Sequence, residues 1–177
     1  METLYTLAYP SLSLGDKQFI DAYRDEHDAA FRDVVAPHFT MLFGCDSVPA
    51  DQYEAHVRDV AAGAEEVRFV CRYAMTCNDV DNDNYYAFLV PEEGYSAVAR
   101  LHDELYRGLM APFLRLDAPY IPHIAVATAK DAQHILQLCS ELNSKGLHIE
   151  GRIEALTVCS YSMGKIHDGP AYRLGPT

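Results

Sequence analysis

Two short segments carry the residue types from which acid–base chemistry is built. Pro37-His38-Phe39-Thr40-Met41-Leu42-Phe43-Gly44 and Pro122-His123-Ile124-Ala125-Val126-Ala127-Thr128 each set a histidine after a proline and ahead of an apolar run. Alternate side chains of a strand share a face, so His38 should stand beside Thr40 and His123 beside Ala125. The opposite faces, with Phe39, Met41 and Phe43 in one strand and Ile124 and Val126 in the other, are expected to pack on helices. The histidine faces are then left to line a cleft. Imidazole, with an ordinary pKa of about 6.5, serves as acid or base near neutral pH. One neutral ring would take a proton from attacking water or hydroxyl, and a protonated one would supply the departing oxygen. The Thr40 hydroxyl would bind a phosphoryl oxygen where charge builds. This scheme calls for no metal and no cofactor. A lone histidine on an apolar strand is most often structural, but the matched Pro-His contexts and their placement favour function for this pair.

The elements that must position these strands follow from periodicity. Thr3 to Tyr9 reads as a strand and Ser13 to Val35 as a helix with Phe19, Ile20, Tyr23, His27, Phe31 and Val34 at helical spacing. Ala36-Pro37 ends that helix. His38 to Gly44 is a strand, Ala50 to Ala62 a helix, and Glu66 to Cys77 a strand with Val67, Phe69, Cys71, Tyr73, Met75 and Cys77 on one face. Asn78 to Asn84 is a polar turn, and Tyr85 to Val90 returns as the partner strand. Gly94 to Met110 is a helix, Ile121 to Thr128 a strand, and Asp131 to Lys145 a helix closed by Gly146. A strand from His148 to Ser162, bent near Gly151, and another from Lys165 to Leu174 finish the chain. Each Pro-His strand precedes a helix and a hairpin. The expected fold is therefore α+β: one bilobal domain over 1–177, two pseudo-symmetric lobes of antiparallel sheet with helices outside, and the cleft between the sheets.

Bulk properties narrow the function classes. Fourteen Lys and Arg against 26 Asp and Glu give a formal charge of -12, which repels a long phosphate backbone. A single small phosphoester needs only a few well-placed donors. No apolar run approaches the roughly 20 residues of a membrane span, and Met1 to Pro10 reads as neither signal nor transit peptide. A cytoplasmic monomer is the expectation. Cys45, Cys71, Cys77, Cys139 and Cys159 lack CxxC spacing and read as unpaired core fillers. The run from Asp79 to Asn84 is similar to the start of a calcium loop but has asparagine where the central glycine belongs and Val90 where the closing glutamate belongs. His27, His56, His102, His134, His148 and His167 have no matched partner and read as structural or solvated.

The two histidine segments resemble the two-histidine (2H) phosphoesterase superfamily, the group of 2′-5′ RNA ligase-like proteins and cyclic nucleotide phosphodiesterases. That family carries two H-x-[ST]-x motifs roughly eighty residues apart on strands facing one cleft; His38 and His123 are 85 apart. The opening strand ending Tyr9-Pro10, the helix with Tyr23-Arg24 and His27-Asp28, and the closing segment from Gly151 through Leu156 to Arg173-Leu174-Gly175 extend the likeness over nearly the whole chain. The resemblance implies a metal-independent phosphodiesterase with His38 and His123 as the acid/base pair and Thr40 on the phosphoryl group. The substrate it implies is a nucleoside 2′,3′-cyclic phosphate or similar small RNA-end phosphoester. The rivals are an RNA 2′-5′ ligase or 2′-5′ phosphodiesterase, and a weakened nucleotide- or protein-binding module. Ala125 departs from the motif: losing one phosphate-binding hydroxyl could cost about 2.7–4 kcal/mol at the transition state, and Thr128, an odd number of residues from His123, should not replace it.

Alternation adds further cleft candidates. Arg68 and Arg72 share a sheet face, where Arg72 either contacts substrate phosphate or is solvated. Thr157, Cys159 and Tyr161 should point to the cleft if Leu156 and Val158 face helices. Tyr120 and Tyr161 either stack on a base or pack in the interior. Which histidine is the base stays open.

Overall fold

The computed structural model describes residues 3–78 and 83–175. Two antiparallel sheets organise them. The first has the strand order β3-β1-β8-β9, formed by β1 (Thr3–Ala8), β3 (Phe39–Cys45), β8 (Ala155–Ser162) and β9 (Lys165–Arg173). The second, β2-β7-β4-β5-β6, is formed by β2 (Ser11–Leu12), β4 (Val67–Asn78), β5 (Tyr85–Glu93), β6 (Ile124–Ala129) and β7 (Ile149–Ile153). Helix α2 (Ala50–Gly63) packs on β8 and β9, and α4 (Ala132–Ser144) on β4, β5 and β6. Helix α3 (Tyr95–Leu105) bridges β3, β4 and β5, and α1 (Leu14–His27) lies against β6. This is the expected α+β arrangement of two lobes.

The lobes exchange their hairpins. After β3 in the first sheet and α2, the hairpin β4–β5 joins the second sheet; after β6 in the second sheet and α4, the hairpin β8–β9 joins the first. His38 and His123 stand directly before β3 and β6 rather than within them, and each of these strands is an edge of its sheet. That position tolerates the preceding Pro37 and Pro122, which have no N–H to give a ladder. One apolar core runs through both lobes: Phe39 of β3 and Phe69 of β4, both buried, meet edge to face at 5.0 Å. Rings at that distance and angle attract beyond the area they bury.

Several elements depart from the expected boundaries, each for a local reason. Helix α1 ends at His27, not Val35. Asp28 caps it with its N–H on the Arg24 carbonyl. The Arg24 guanidinium reaches Asp28 Oδ2 at 2.9 Å and the Phe31 carbonyl at 3.1 Å, turning the chain aside. The helix expected over Gly94 to Met110 is α3 followed by a 3-10 helix, Gly108–Phe113, after a break at Gly108, whose φ is 52°. Gly94 itself precedes α3 with φ 84°, and a Cβ there would sit 2.2 Å from the Arg68 carbonyl oxygen, so only glycine fits. The single bent strand expected from His148 to Ser162 is two strands in different sheets, β7 and β8, parted at Glu154. β-Bulges also shift the faces. In β4 the extra residue is Arg72, after which Tyr73 turns outward, 56% exposed, and Ala74 inward. The turn from Asn78 to Asn84, with its acidic run, lies largely outside the described residues. Cys45, Cys71, Cys139 and Cys159 are buried. Among the described residues no helix is long and apolar enough to cross a membrane.

Candidate active site

A cavity of about 820 Å³ lies between the sheets, and His38, Thr40, His123, Ala125, Tyr120 and Tyr161 all line it. The two histidines are held in one way. His38 Nδ1 donates to the Ala36 carbonyl at 2.8 Å and His123 Nδ1 to the Ile121 carbonyl at 2.6 Å, each two residues back in the chain. A ring whose Nδ1–H is spent on a backbone carbonyl carries its lone pair on Nε2. Both Nε2 atoms are thereby the proton-accepting nitrogens of the neutral rings. His38 Nε2 stands 3.2 Å from Thr40 Oγ1, as the shared strand face requires. His123 has no such neighbour, because Ala125 offers a methyl.

The rings are braced by aromatics. Phe88 of β5 stacks on His123 at 3.5 Å with planes 13° apart, and Phe88 pairs with Ala125 across the β5–β6 ladder. Tyr9 meets His38 edge to face at 6.3 Å, its hydroxyl donating to Asp168 Oδ1 at 2.6 Å. Each histidine keeps part of its surface open to the cleft while protein encloses the rest. That enclosure is the main reason both pKa values fall, to about 4, because burial penalises the charged ring. The backbone carbonyls oppose the fall. For His123 the charge of His38 adds to it, so the two rings feel one another.

The motifs also share a backbone device. In β3 the extra residue opposite β1 is Met41, with a further irregularity between Leu42 and Cys45; in β6 the extra residue opposite β5 is Val126. Met41 and Val126 both stand three residues after their histidine, and bulges beside active sites re-aim side chains. As a result Phe43, expected on the helix side with Phe39 and Met41, faces the cleft, 38% exposed. The Thr128 hydroxyl does not reach the cleft either; it donates to Asp28 Oδ1 at 2.7 Å.

Other expected site residues are placed differently. Arg72 stands away from the cleft: its guanidinium bonds Glu92 at 3.3 Å and Glu93 at 2.6 Å at the exposed end of β5. Tyr120 lines the cavity, but one ring face is covered by His102, stacked at 3.6 Å and 8°. Its hydroxyl donates to the Thr40 carbonyl at 3.1 Å, tying the approach to His123 to the strand of His38. Tyr161 presents an exposed ring to the cleft. Cys159 is buried, with Sγ 3.4 Å from Asp168 Oδ1, and does not line it. Sequence reading passed over Phe88, Tyr86, Phe31 and His102, all of which line the cleft. Alternation along β5 puts Tyr86 and Phe88 on one face, but only strand pairing reveals that this face carries His123.

Comparison with solved structures places this architecture in a known group. E. coli LigT superposes with a TM-score of 0.56 at 15% identity over 98% of both chains, and Usb1 from Kluyveromyces marxianus with 0.59 at 12% identity over 96% of this chain and 98% of its own. A structure described only as a phosphoesterase gives 0.59 at 15% identity over 99% of both. The fold is that of the two-lobed phosphoesterases. Residues 12–165 match the family model of the 2′-5′ RNA ligase superfamily, and the chain belongs to that superfamily, within the 2H phosphoesterases. No curated protein sequence matches the chain.

Proposed function

We propose that this protein is a metal-independent phosphodiesterase that hydrolyses a nucleoside 2′,3′-cyclic phosphate or a similar small RNA-end phosphoester, with His38 and His123 as its acid/base pair. The observation that carries the reading is the pair of matched imidazoles, each with Nδ1 tied to a backbone carbonyl and both lining one cavity. In the reaction a water oxygen bonds to phosphorus while its proton passes to one neutral Nε2. The P–O bond to the leaving oxygen breaks as the other ring, protonated, delivers its proton there. Thr40, already beside His38 Nε2, binds a phosphoryl oxygen as charge accumulates. A nucleotide-sized ligand suits a cavity of this volume, and the fold neighbour E. coli LigT has been crystallised with 3′-AMP. The acidic chain fits a small ester as partner rather than long nucleic acid. A cytoplasmic monomer acting on RNA ends is the setting we propose.

A panel of 2′,3′-cyclic nucleotides and 2′-5′ dinucleotides, assayed in chelator across pH, tests the proposal. The catalytic form needs one ring charged and one neutral. With both rings at about 4 in the free protein, that form is a falling minority as pH rises. The dependence of kcat/KM should therefore peak below about pH 5 and decline toward neutrality. A bound phosphate anion favours the charged ring, so the optimum of kcat should lie at higher pH than that of kcat/KM. No turnover of any substrate by the folded protein would sink the proposal.

One observation favours a second reading, a catalytically weakened nucleotide- or protein-binding module: Ala125 faces the cleft where the motif calls for a hydroxyl. Ala125→Ser should raise kcat by about 10²- to 10³-fold, the worth of an oxyanion donor, and by only about 2- to 10-fold if water already fills the gap. Tight nucleotide binding with no cleavage by either form would establish the weakened module instead.

A further inference from the structure

His38 and His123 share the way Nδ1 is held but not what stands against their rings. His123 is stacked on the phenyl ring of Phe88, which brings no charge. His38 meets Tyr9, which directly follows β1. The Tyr9 hydroxyl donates to Asp168 Oδ1 at 2.6 Å, the short distance of a phenol held by an ionised carboxylate. Burial first, and that bond second, hold the phenol far above its ordinary pKa, so Tyr9 stays the donor. Neither Tyr9 nor Asp168 lines the catalytic cavity. Both line a second cavity of about 640 Å³, together with Ala36 and Pro37. They reach His38 from outside the space a substrate would fill.

Strand β9 fixes this arrangement. Asp168 pairs with Cys159 across the β8–β9 ladder, and its Oδ1 lies 3.4 Å from Cys159 Sγ. Two residues earlier, the Ile166 N–H donates to the Val34 carbonyl at 3.0 Å. That bond holds the segment leading to Ala36, whose carbonyl accepts from His38 Nδ1. One strand thus supplies the carboxylate and steadies the backbone from which the ring hangs.

We infer that Asp168, acting through Tyr9, is a positioning residue that makes His38 the member of the pair readier to carry the proton. The inference rests on the phosphodiesterase reading and adds two residues to its machinery. The charges facing His38 are Arg24 and the capping Asp28 of α1, Asp168 of β9, and His123 when protonated. Tyr9 is uncharged, and so is Cys159, its thiol pushed up to about 12 chiefly by burial. Arg24 and Asp28 largely offset one another in their ion pair at 2.9 Å. Asp168 remains, and its negative charge favours the imidazolium against the burial that penalises it. His123 has less support: burial and the charge of His38 act against its proton, and the Ile121 carbonyl opposes them.

NMR titration of the imidazoles, beside turnover of a 2′,3′-cyclic nucleotide by the full chain, tests this with three variants. Asp168→Asn keeps an acceptor for Tyr9 and removes the charge. It should move the His38 midpoint down by about 0.3 to 1 in pH, the reach of one partly screened charge. Above the midpoint the charged fraction, and turnover with it, should fall about 2- to 10-fold. Tyr9→Phe, which frees the carboxylate from the ring, should act in the same direction. Asp168→Glu, which restores the charge, should recover most of both effects. In each variant the His123 midpoint should move less than that of His38. An unmoved His38 midpoint in Asp168→Asn would overturn the inference even if turnover fell, because Asp168 would then be only a brace. A lowered midpoint with unchanged turnover would overturn it as well. Absence of turnover by the parent protein is a separate result, which would remove the phosphodiesterase reading and the catalytic part of this inference with it.

Discussion

Replacing either His38 or His123 with alanine lowers turnover by about 10²- to 10⁴-fold, the usual worth of a positioned acid or base. The double replacement is scarcely worse than the single ones, because two groups that pass protons within one step act as a unit. Both rings keep their identity through local contacts, the Nδ1 bonds to Ala36 and Ile121, so removing one leaves the other in place and the fold intact. Asparagine at either position, which can keep a hydrogen bond but cannot shuttle a proton, should be as slow as alanine. Steady-state kinetics on a cyclic nucleotide, with circular dichroism to verify folding, checks the prediction. Loss of less than about tenfold from both single variants would show that neither ring moves the critical proton.

Asp28→Ala is expected to destabilise the fold by about 3–5 kcal/mol, because it leaves the Arg24 guanidinium buried without its counter-charge. The two side chains are 6% and 1% exposed. Asp28 is also the point at which α1 and β6 meet. It caps α1, accepts Arg24 on Oδ2, and accepts the Thr128 hydroxyl of β6 on Oδ1. Arg24 in turn holds the Phe31 carbonyl and with it the turn that forms a cleft wall before His38. In a chain of this length the loss corresponds to a fall in Tm of roughly 10 °C. Replacing the pair together, Arg24→Met with Asp28→Leu, should recover most of it, since no unpaired charge then remains. Thermal unfolding of the single and double variants decides the matter; a double variant no more stable than Asp28→Ala would mean that shape and capping, not charge, hold this corner.

That His38 and His123 line one cavity was legible in the sequence because the signal is local. A proline, a histidine and an alternating apolar run specify an edge strand and a face without reference to the rest of the chain. What escaped depends on pairing between distant segments. Whether Phe43 faces helix or cleft turns on the bulge at Met41, and a bulge exists only relative to the opposing strand β1. The same holds for Arg72, which strict alternation left as a candidate and which the bulge carries to Glu92 and Glu93 on the outside. Phe88 could be placed on a strand face, but its stacking on His123 follows from the β5–β6 register. The early end of α1 was hidden because Phe31 and Val34 continue the helical spacing; a buried ion pair, not propensity, stops the helix. The division of residues 148–162 into β7 and β8 was hidden because strands that change sheets keep their alternation.

The account stands on two Nε2 atoms facing one phosphorus, and nitrogen-15 NMR of the imidazoles can watch them directly. In the free protein near neutral pH both rings should give the spectrum of the neutral Nδ1–H tautomer. Titration with a non-cleavable phosphodiester should then shift the Nε2 signals of His38 and His123 together, while each Nδ1 stays on its backbone carbonyl. Movement of one histidine alone, or a response on the Nδ1 side, would contradict it.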